Sequence, residues 1–175
     1  MARLPELTDR DALPEDAHEA YDSIAASRGR VGGLFAVLMN SPEIAGRTAH
    51  FGTYVRFEKS LPQPVHELAM SLGAHICEGA LEWRGHSRAA REAGVSEETM
   101  AAVEHDGPIA GLPALDALVI KFGRDLLQNH KVDDADFAAL RDELGDKGVV
   151  DLVATFGYQA LLGCILNGLD IQPAS

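Results

Sequence analysis

The stretch that decides the fold is His66–His86, which reads HELAMSLGAHICEGALEWRGH. Its apolar residues recur at intervals of three and four positions, which is typical of an amphipathic helix and unlike the alternation of a strand. With about 100° of rotation per residue, Glu78, Glu82 and His86 would lie one above another on a continuous helix, with His75 between them in angle. The stretch therefore predicts a helix that carries a polar stripe through apolar surroundings.

Turn and cap residues outward from this stretch divide the chain into further helices. The Pro-rich residues 61–64 break the chain before the long helix, Gly79 marks a point where that helix can bend, and Gly94 ends it. Ser41 offers a capping hydroxyl, and Pro42 stands at the first helical position. The predicted helices are 11–27, 34–39, 41–59, 61–93, a short one from 96, 114–129, 133–144 and 147–167.

These elements predict an all-α bundle of about seven to eight helices. No run alternates between apolar and polar residues as a strand would. The chain has 175 residues, enough for one domain with a substantial core, so a single domain spanning 1–175 is predicted, with 1–12 as an extended lead-in.

Charge and hydropathy exclude several partners. The formal net charge is −12, whereas proteins that bind nucleic acid or anionic membranes cluster Lys and Arg, so neither partner is predicted. Polar residues interrupt the most apolar segment, 149–169, which we therefore interpret as a buried or subunit-facing helix rather than a membrane span. The N-terminus lacks the apolar region of a secretory signal, and Cys77 and Cys164 form no disulfide framework. A cytoplasmic protein is expected.

The stripe has both a chemical and a structural interpretation. Glu82 and His86, four residues apart on a helix, can share a proton as a coupled pair suited to general acid–base work. The same spacing is also that of an ordinary solvated surface pair. A metal site is not predicted, because the chain lacks a repeated Glu-x-x-His motif and Met70 replaces the second His of a zincin motif. No cofactor is predicted.

The residues Glu67, Glu82-Trp83-x-x-His86 and the Ala93-Gly94-Val95-Ser96 segment that follows resemble the carboxymuconolactone decarboxylase family, whose superfamily includes the AhpD-like alkylhydroperoxidases. This resemblance implies an AhpD-like helical bundle that assembles as homotrimers or homohexamers, with active sites close to subunit contacts.

The peroxidase branch of that superfamily has a Glu, then a CxxC pair, then a His after three intervening residues. By position, Glu67 matches the Glu and His86 the His, while Gly79 and Glu82 occupy the cysteine positions. Thiol–disulfide chemistry needs an attacking thiolate and a resolving thiol. The resemblance therefore favours acid–base catalysis by Glu67, Glu82 and His86 over redox chemistry.

The function predicted from this resemblance is decarboxylation or proton transfer on a small lactone or carbonyl acid by a lyase-like enzyme. An anionic substrate requires a basic anchor, and the predicted binding and supporting residues are Arg30, Arg47, Trp83, Arg84, His75 and Glu78. Two alternatives stay open: a peroxide-related AhpD-like oxidoreductase without the usual CxxC, and a non-catalytic oligomeric binding protein.

Overall fold

The structure, a computed structural model, describes residues 2–172. Within them the chain forms eight α-helices and no strand, which confirms the all-α prediction. Short 3₁₀ turns precede α1, and a π-helical turn, Tyr54–Glu58, follows α3. The helices are α1 (His18–Arg28), α2 (Leu34–Leu38), α3 (Pro42–Thr53), α4 (Gln63–Ile76), α5 (Ala80–Glu92), α6 (Glu97–Glu104), α7 (Ala114–Asn129) and α8 (Asp134–Gly168).

The chain divides into two compact units. The first comprises the residues up to Glu58 together with those from Ile165 onward, and the second is Lys59–Cys164. The single domain predicted over 1–175 stays a prediction. It includes Met1 and residues 173–175, which lie outside the described range, and the predicted lead-in 1–12 also includes Met1. Of the described lead-in residues, Arg10–Ala12 form a 3₁₀ turn rather than extended chain.

In the first unit α1 and α2 both pack against α3. The contact uses small residues, since Gly46 on α3 lies against Ala20 on α1. Arg28 at the end of α1 lies over the Phe35 ring at 4.3 Å and donates a hydrogen bond to the Ala49 carbonyl at 3.2 Å. These contacts connect the three helices of this unit.

The second unit is built around α4, in which every residue from Val65 to Ala74 is buried. It packs mainly against α5 and α7, and the apolar core of the unit also includes residues of α6 and α8. Among the buried residues of α4, only His66, Glu67 and Ser71 are polar. The helix that carries the candidate site is therefore also the centre of the core.

Close approach of α4, α7 and α8 depends on glycine. A Cβ atom added to Gly123 on α7 would lie 2.5 Å from the Phe156 ring on α8 and 2.6 Å from Leu72 on α4. Both neighbours are completely buried, so neither can move aside without disturbing the core.

The predicted long helix 61–93, which could bend at Gly79, is instead two helices, because α4 ends at Ile76 and α5 begins at Ala80. Glu78 adopts a left-handed conformation (φ 52°) between them. The Glu78 amide donates to the His75 carbonyl and the Gly79 amide donates to the Ala74 carbonyl, at 3.0 and 2.8 Å. This is the Schellman pattern, which satisfies the last carbonyls of a helix and ends it.

Other helix boundaries agree with the sequence more closely. α7 has the predicted bounds, and Gly145 (φ 71°) interrupts α8 between the predicted helices 133–144 and 147–167. Ser96 caps α6 by accepting a hydrogen bond from the Thr99 amide, whereas the predicted cap Ser41 makes no such bond at α3. The first helix begins at His18, later than the predicted residue 11.

Among the described residues, α8 is long and apolar enough by length and composition to cross a membrane. However, 56% of its most apolar 18-residue window is buried inside the protein, and Leu152 and Phe156 belong to the core of the second unit. Burial of this kind is typical of a core helix.

We expect Gly123→Ala to lower the free energy of unfolding by about 1–3 kcal/mol, because the new methyl group overpacks the core at Phe156 and Leu72. Gly85→Ala on α5 is the matched control, since its Cβ would meet nothing within 4 Å. That control should be neutral or gain up to about 1 kcal/mol from helix propensity. Urea unfolding measures both, and equal stability of Gly123→Ala and the native protein would contradict the packing described.

Candidate functional site

The site begins at the start of α4, where Gln63 and Glu67 lie one helical turn apart. The Gln63 amide is oriented at both ends: its oxygen accepts from Lys59 Nζ at 3.0 Å, and its Nε2 donates to Glu67 Oε1 at 2.8 Å. The Glu67 side chain is only 8% exposed, so it reaches little water and depends on protein donors. Glu67 Oε1 therefore has a hydrogen-bond donor on α4 itself.

The second Glu67 oxygen faces α5. His86 Nδ1 lies 2.8 Å from Glu67 Oε2, and His86 Nε2 lies 3.3 Å from Glu82 Oε2 one turn earlier on α5. The His86 side chain is 8% exposed and that of Glu82 is 18% exposed. Because both ring nitrogens face carboxylate oxygens, the arrangement suits an imidazolium that donates in both directions.

Opposing effects set the charges in this group, which we call the Glu–His–Glu relay (Glu67, His86 and Glu82). Burial alone would raise the pKa of Glu67, but hydrogen bonds from His66 and His86 outweigh burial and lower it to about 2. Burial alone would lower the pKa of His86, but its hydrogen bonds to Glu67 and Glu82 raise it above the ordinary value of 6.5. These hydrogen bonds therefore favour an ionised Glu67 and a protonated His86.

The structure thus brings together the three residues predicted as catalytic, Glu67, Glu82 and His86. It places the two predicted supporting residues elsewhere. Glu78 lies in the turn between α4 and α5, so it does not continue the stripe as a continuous helix would require. His75 contacts the Asp106 carboxylate at 3.3 Å and the Trp83 ring, with 5.6 Å between ring centroids.

The predicted binding residues are also dispersed. Trp83 packs partly against the core and, with His75, Glu78 and Gly79, lines a cavity of about 340 Å³. Arg84 is exposed on α5, two positions from both Glu82 and His86, and so lies about 200° around the helix from them. Arg84 therefore does not adjoin Glu82 or His86 on α5, and its role as a substrate-binding residue stays a prediction.

The remaining two arginines belong to the first unit. Arg30 is exposed in the loop before α2. Arg47 on α3 lines a cavity of about 300 Å³ that it shares with three carboxylates, those of Asp16, Glu19 and Glu43. These acids compete with any anionic ligand for the guanidinium.

Sequence reasoning missed two residues that contact the relay, Gln63 and His66. The Gln63 contact follows the i, i+4 spacing of a helix and could have been predicted once α4 was placed. His66 Nδ1 lies 3.3 Å from Glu67 Oε1, a contact between adjacent residues that helical spacing does not suggest. Within residues 2–172, no group of three or more His, Cys, Asp or Glu side chains is arranged to hold a metal ion.

The chain shares its fold with several solved structures. It is similar to an uncharacterized peroxidase-related protein with an alkylhydroperoxidase AhpD core from Ralstonia eutropha JMP134 (17% identity, TM-score 0.77, 99% of this chain and 93% of that chain covered). It is also similar to an uncharacterized peroxidase-related protein from Silicibacter sp. TM1040 (14%, TM-score 0.74, 100% and 96% covered). A third similar structure is a variant of the debrominase Bmp8 in complex with 2,3,4-tribromopyrrole (11%, TM-score 0.72, 100% and 95% covered).

At these identities the likeness shows the fold alone, which is AhpD-like and all-α. Residues 42–120, which contain the whole Glu–His–Glu relay, match the model of the carboxymuconolactone decarboxylase family. This match confirms the resemblance seen in the sequence. No curated protein matches the chain in sequence.

We expect Glu67→Gln to lower the pKa of His86, because a neutral amide no longer offsets the burial of the imidazolium. An NMR titration of the His86 ring measures the change. Glu97→Gln is the matched control, because Glu97 lies exposed on α6 and pairs with Arg91. It should leave the pKa of His86 unchanged. The same His86 pKa in Glu67→Gln and the native protein would contradict the proposed electrostatics.

The ionisation of Glu67 should also make the free energy of unfolding depend on pH. Its pKa falls from 4.5 to about 2 on folding, so its ionised form stabilises the protein above pH 4.5, and this contribution disappears as pH falls through about 2. We expect the stability advantage of the native protein over Glu67→Gln to shrink by up to about 3 kcal/mol over that interval. Urea unfolding of both proteins at a series of pH values measures this advantage. A stability difference that does not change with pH would contradict the lowered pKa of Glu67.

Proposed function

We propose that the chain is an enzyme that uses the Glu–His–Glu relay for acid–base catalysis on a small lactone or carbonyl acid, in a decarboxylation or a proton transfer. The observation that carries this proposal is the burial of His86 between two carboxylates, 2.8 Å from Glu67 and 3.3 Å from Glu82. The match of residues 42–120 to the model of the carboxymuconolactone decarboxylase family supports it.

The exposure of the three side chains suggests their order of action. Glu82 is the most exposed of them, so it is the member that would meet a substrate, while Glu67 forms the inner end. His86 would supply a proton to Glu82 and take one back after turnover. Glu67, held ionised, would stabilise the imidazolium between turnovers.

In a decarboxylation, the bond between the carboxylate carbon and the adjacent carbon breaks, and CO₂ leaves. The electron pair remains on that adjacent carbon and is delocalised onto the neighbouring carbonyl oxygen as an enolate. A proton from the Glu82–His86 pair then forms the new C–H bond, and water returns a proton to the pair. In a proton transfer, the same pair would remove and return a proton beside the carbonyl.

Charge constrains the substrate. With Glu67 and Glu82 ionised and His86 protonated, the relay carries a net negative charge, which repels a carboxylate placed against it. An anionic substrate would therefore need an arginine presented from outside α5. Assembly as a homotrimer or homohexamer, which we propose from the family resemblance, would allow another subunit to supply it. Cys77 and Cys164, as thiols outside any disulfide, suit the reducing cytoplasm in which we place the enzyme.

A peroxide-related activity is the second candidate, because two of the similar folds are called peroxidase-related. The two cysteine thiols, however, are poorly suited to a peroxide-related activity. Burial and the nearby Cys164 raise the pKa of the Cys77 thiol, which reduces the thiolate available for attack on a peroxide. A Cys77→Ser, Cys164→Ser double variant that loses peroxide consumption would establish this activity in place of the proposed one.

The proposed function is tested by carbon–hydrogen exchange in D₂O and CO₂ release with a panel of β-keto acids and unsaturated lactone acids. We expect Glu82→Gln and His86→Gln each to lower kcat by about 10²–10⁴-fold, the usual contribution of a positioned acid or base. Circular dichroism verifies that the helices are retained in each variant.

Glu92→Gln is the matched control, since Glu92 lies on α5 but pairs with Arg88 in an exposed i, i+4 contact. It should retain native kcat. Full activity in both relay variants would contradict the proposal. If no member of the panel reacts and His86 does not exchange protons with solvent, the relay is instead an internal ion-pair network, as in the non-catalytic alternative.

A further inference from the structure

His66 is a buried titratable residue that the proposed chemistry does not use. It lies on α4 beside Glu67 and is 1% exposed. Its Nδ1 lies 3.3 Å from Glu67 Oε1, the same oxygen that accepts from Gln63. Its Nε2 is buried, and among the described residues it has no hydrogen-bond partner. Buried polar atoms without a partner are uncommon and require a physical reason.

The contacts determine which nitrogen of His66 carries the proton. An ionised carboxylate only accepts hydrogen bonds, so the ring must present an N–H to Glu67 from Nδ1. A second proton would then lie on Nε2, buried and without an acceptor, which is strongly unfavourable. His66 is therefore neutral, with its single proton on Nδ1.

Neighbouring charges act on His66 in opposite directions. Glu67 favours a charge on its ring, whereas Lys59, just before α4, and His86 on α5 are both positive and disfavour one. Burial is the largest effect, and the pKa of His66 is lowered below its ordinary value of 6.5.

We propose that His66 is a positioning residue that fixes the inner end of the Glu–His–Glu relay, an inference that rests on the proposed function of that relay. With Gln63, it holds Oε1 of Glu67 so that Oε2 faces His86. Because protonation of its own Nε2 would be costly, His66 cannot take up a second proton. It therefore prevents protons from leaving the relay past Glu67. Protons then move only between His86 and the more exposed Glu82.

This role separates the two oxygens of Glu67. Oε1 accepts from two neutral donors, His66 and Gln63, and Oε2 accepts from His86. Loss of the His66 donor would leave the carboxylate less stabilised and more basic. Glu67 would then compete with Glu82 for the His86 proton, and delivery of that proton to a substrate would slow.

Three substitutions distinguish a hydrogen-bond role from simple packing. His66→Leu removes the donor and keeps an apolar side chain in the buried space. His66→Asn keeps a donor at the position of Nδ1, because both nitrogens are bonded to Cγ. His66→Gln moves the donor out to the position of Nε2.

The first measurement needs no substrate. Ring ¹⁵N NMR should show His66 neutral and protonated on Nδ1 at neutral pH, and carboxyl ¹³C NMR should show the pKa of Glu67 raised by about one unit or more in His66→Leu. His66→Asn should restore the native value and His66→Gln should not. A charged His66, a proton on Nε2, or an unchanged Glu67 pKa in His66→Leu would overturn the proposal.

The second measurement uses turnover. We expect His66→Leu to lower kcat about tenfold with KM unchanged, since His66 does not touch the substrate, and His66→Asn to recover kcat. Equal kcat in all three variants would overturn the positioning role. If the NMR results hold but Glu82 and His86 variants remain active, the proposed function fails while the assignment of His66 stands.

Discussion

A carboxylate and an imidazole meet 2.8 Å apart inside the second unit, where Glu67 on α4 faces His86 on α5. Burying two charges is expensive, and the attraction between them offsets that expense only when the remaining donors and acceptors are also satisfied. Here Gln63, His66 and Glu82 satisfy them. Removing one partner would leave a buried charge alone, which costs about 3–5 kcal/mol in comparable pairs.

The same constraint explains where the polar residues of α4 lie. Its middle ten residues are all buried, so any charge on this helix must find its partner on a neighbouring helix rather than in water. α5 provides that partner because it follows α4 after a short turn and packs against it. The helices around this pair form a rigid core, and such a core can hold proton-exchanging groups at fixed distances.

The sequence predicted the helices whose ends carry strong local signals. Gly94 and Gly145 interrupt helices where the sequence indicated, and α7 has the predicted bounds because its apolar spacing is regular. The turn at Glu78 was not predictable in this way, since glycine is the usual residue at that left-handed position and glutamate is strained there. Gly79, where a bend was expected, is one residue further on.

Prediction of the site had a similar limit. The partnership of Glu67 and His86, nineteen positions apart, came from the family resemblance, because no local spacing joins them. The contact between Glu82 and His86 followed from helical spacing, but that spacing alone did not distinguish a buried pair from a surface pair. His66 was missed because its contribution depends on the burial of both its ring nitrogens, a tertiary property.

The chemistry proposed for the Glu–His–Glu relay requires that His86 is a cation held between two carboxylates. The most direct test is the ring ¹⁵N spectrum of His86 in the native protein at neutral pH, with no ligand added. We expect both ring nitrogens of His86 to be protonated. A neutral imidazole with one unprotonated nitrogen would contradict it.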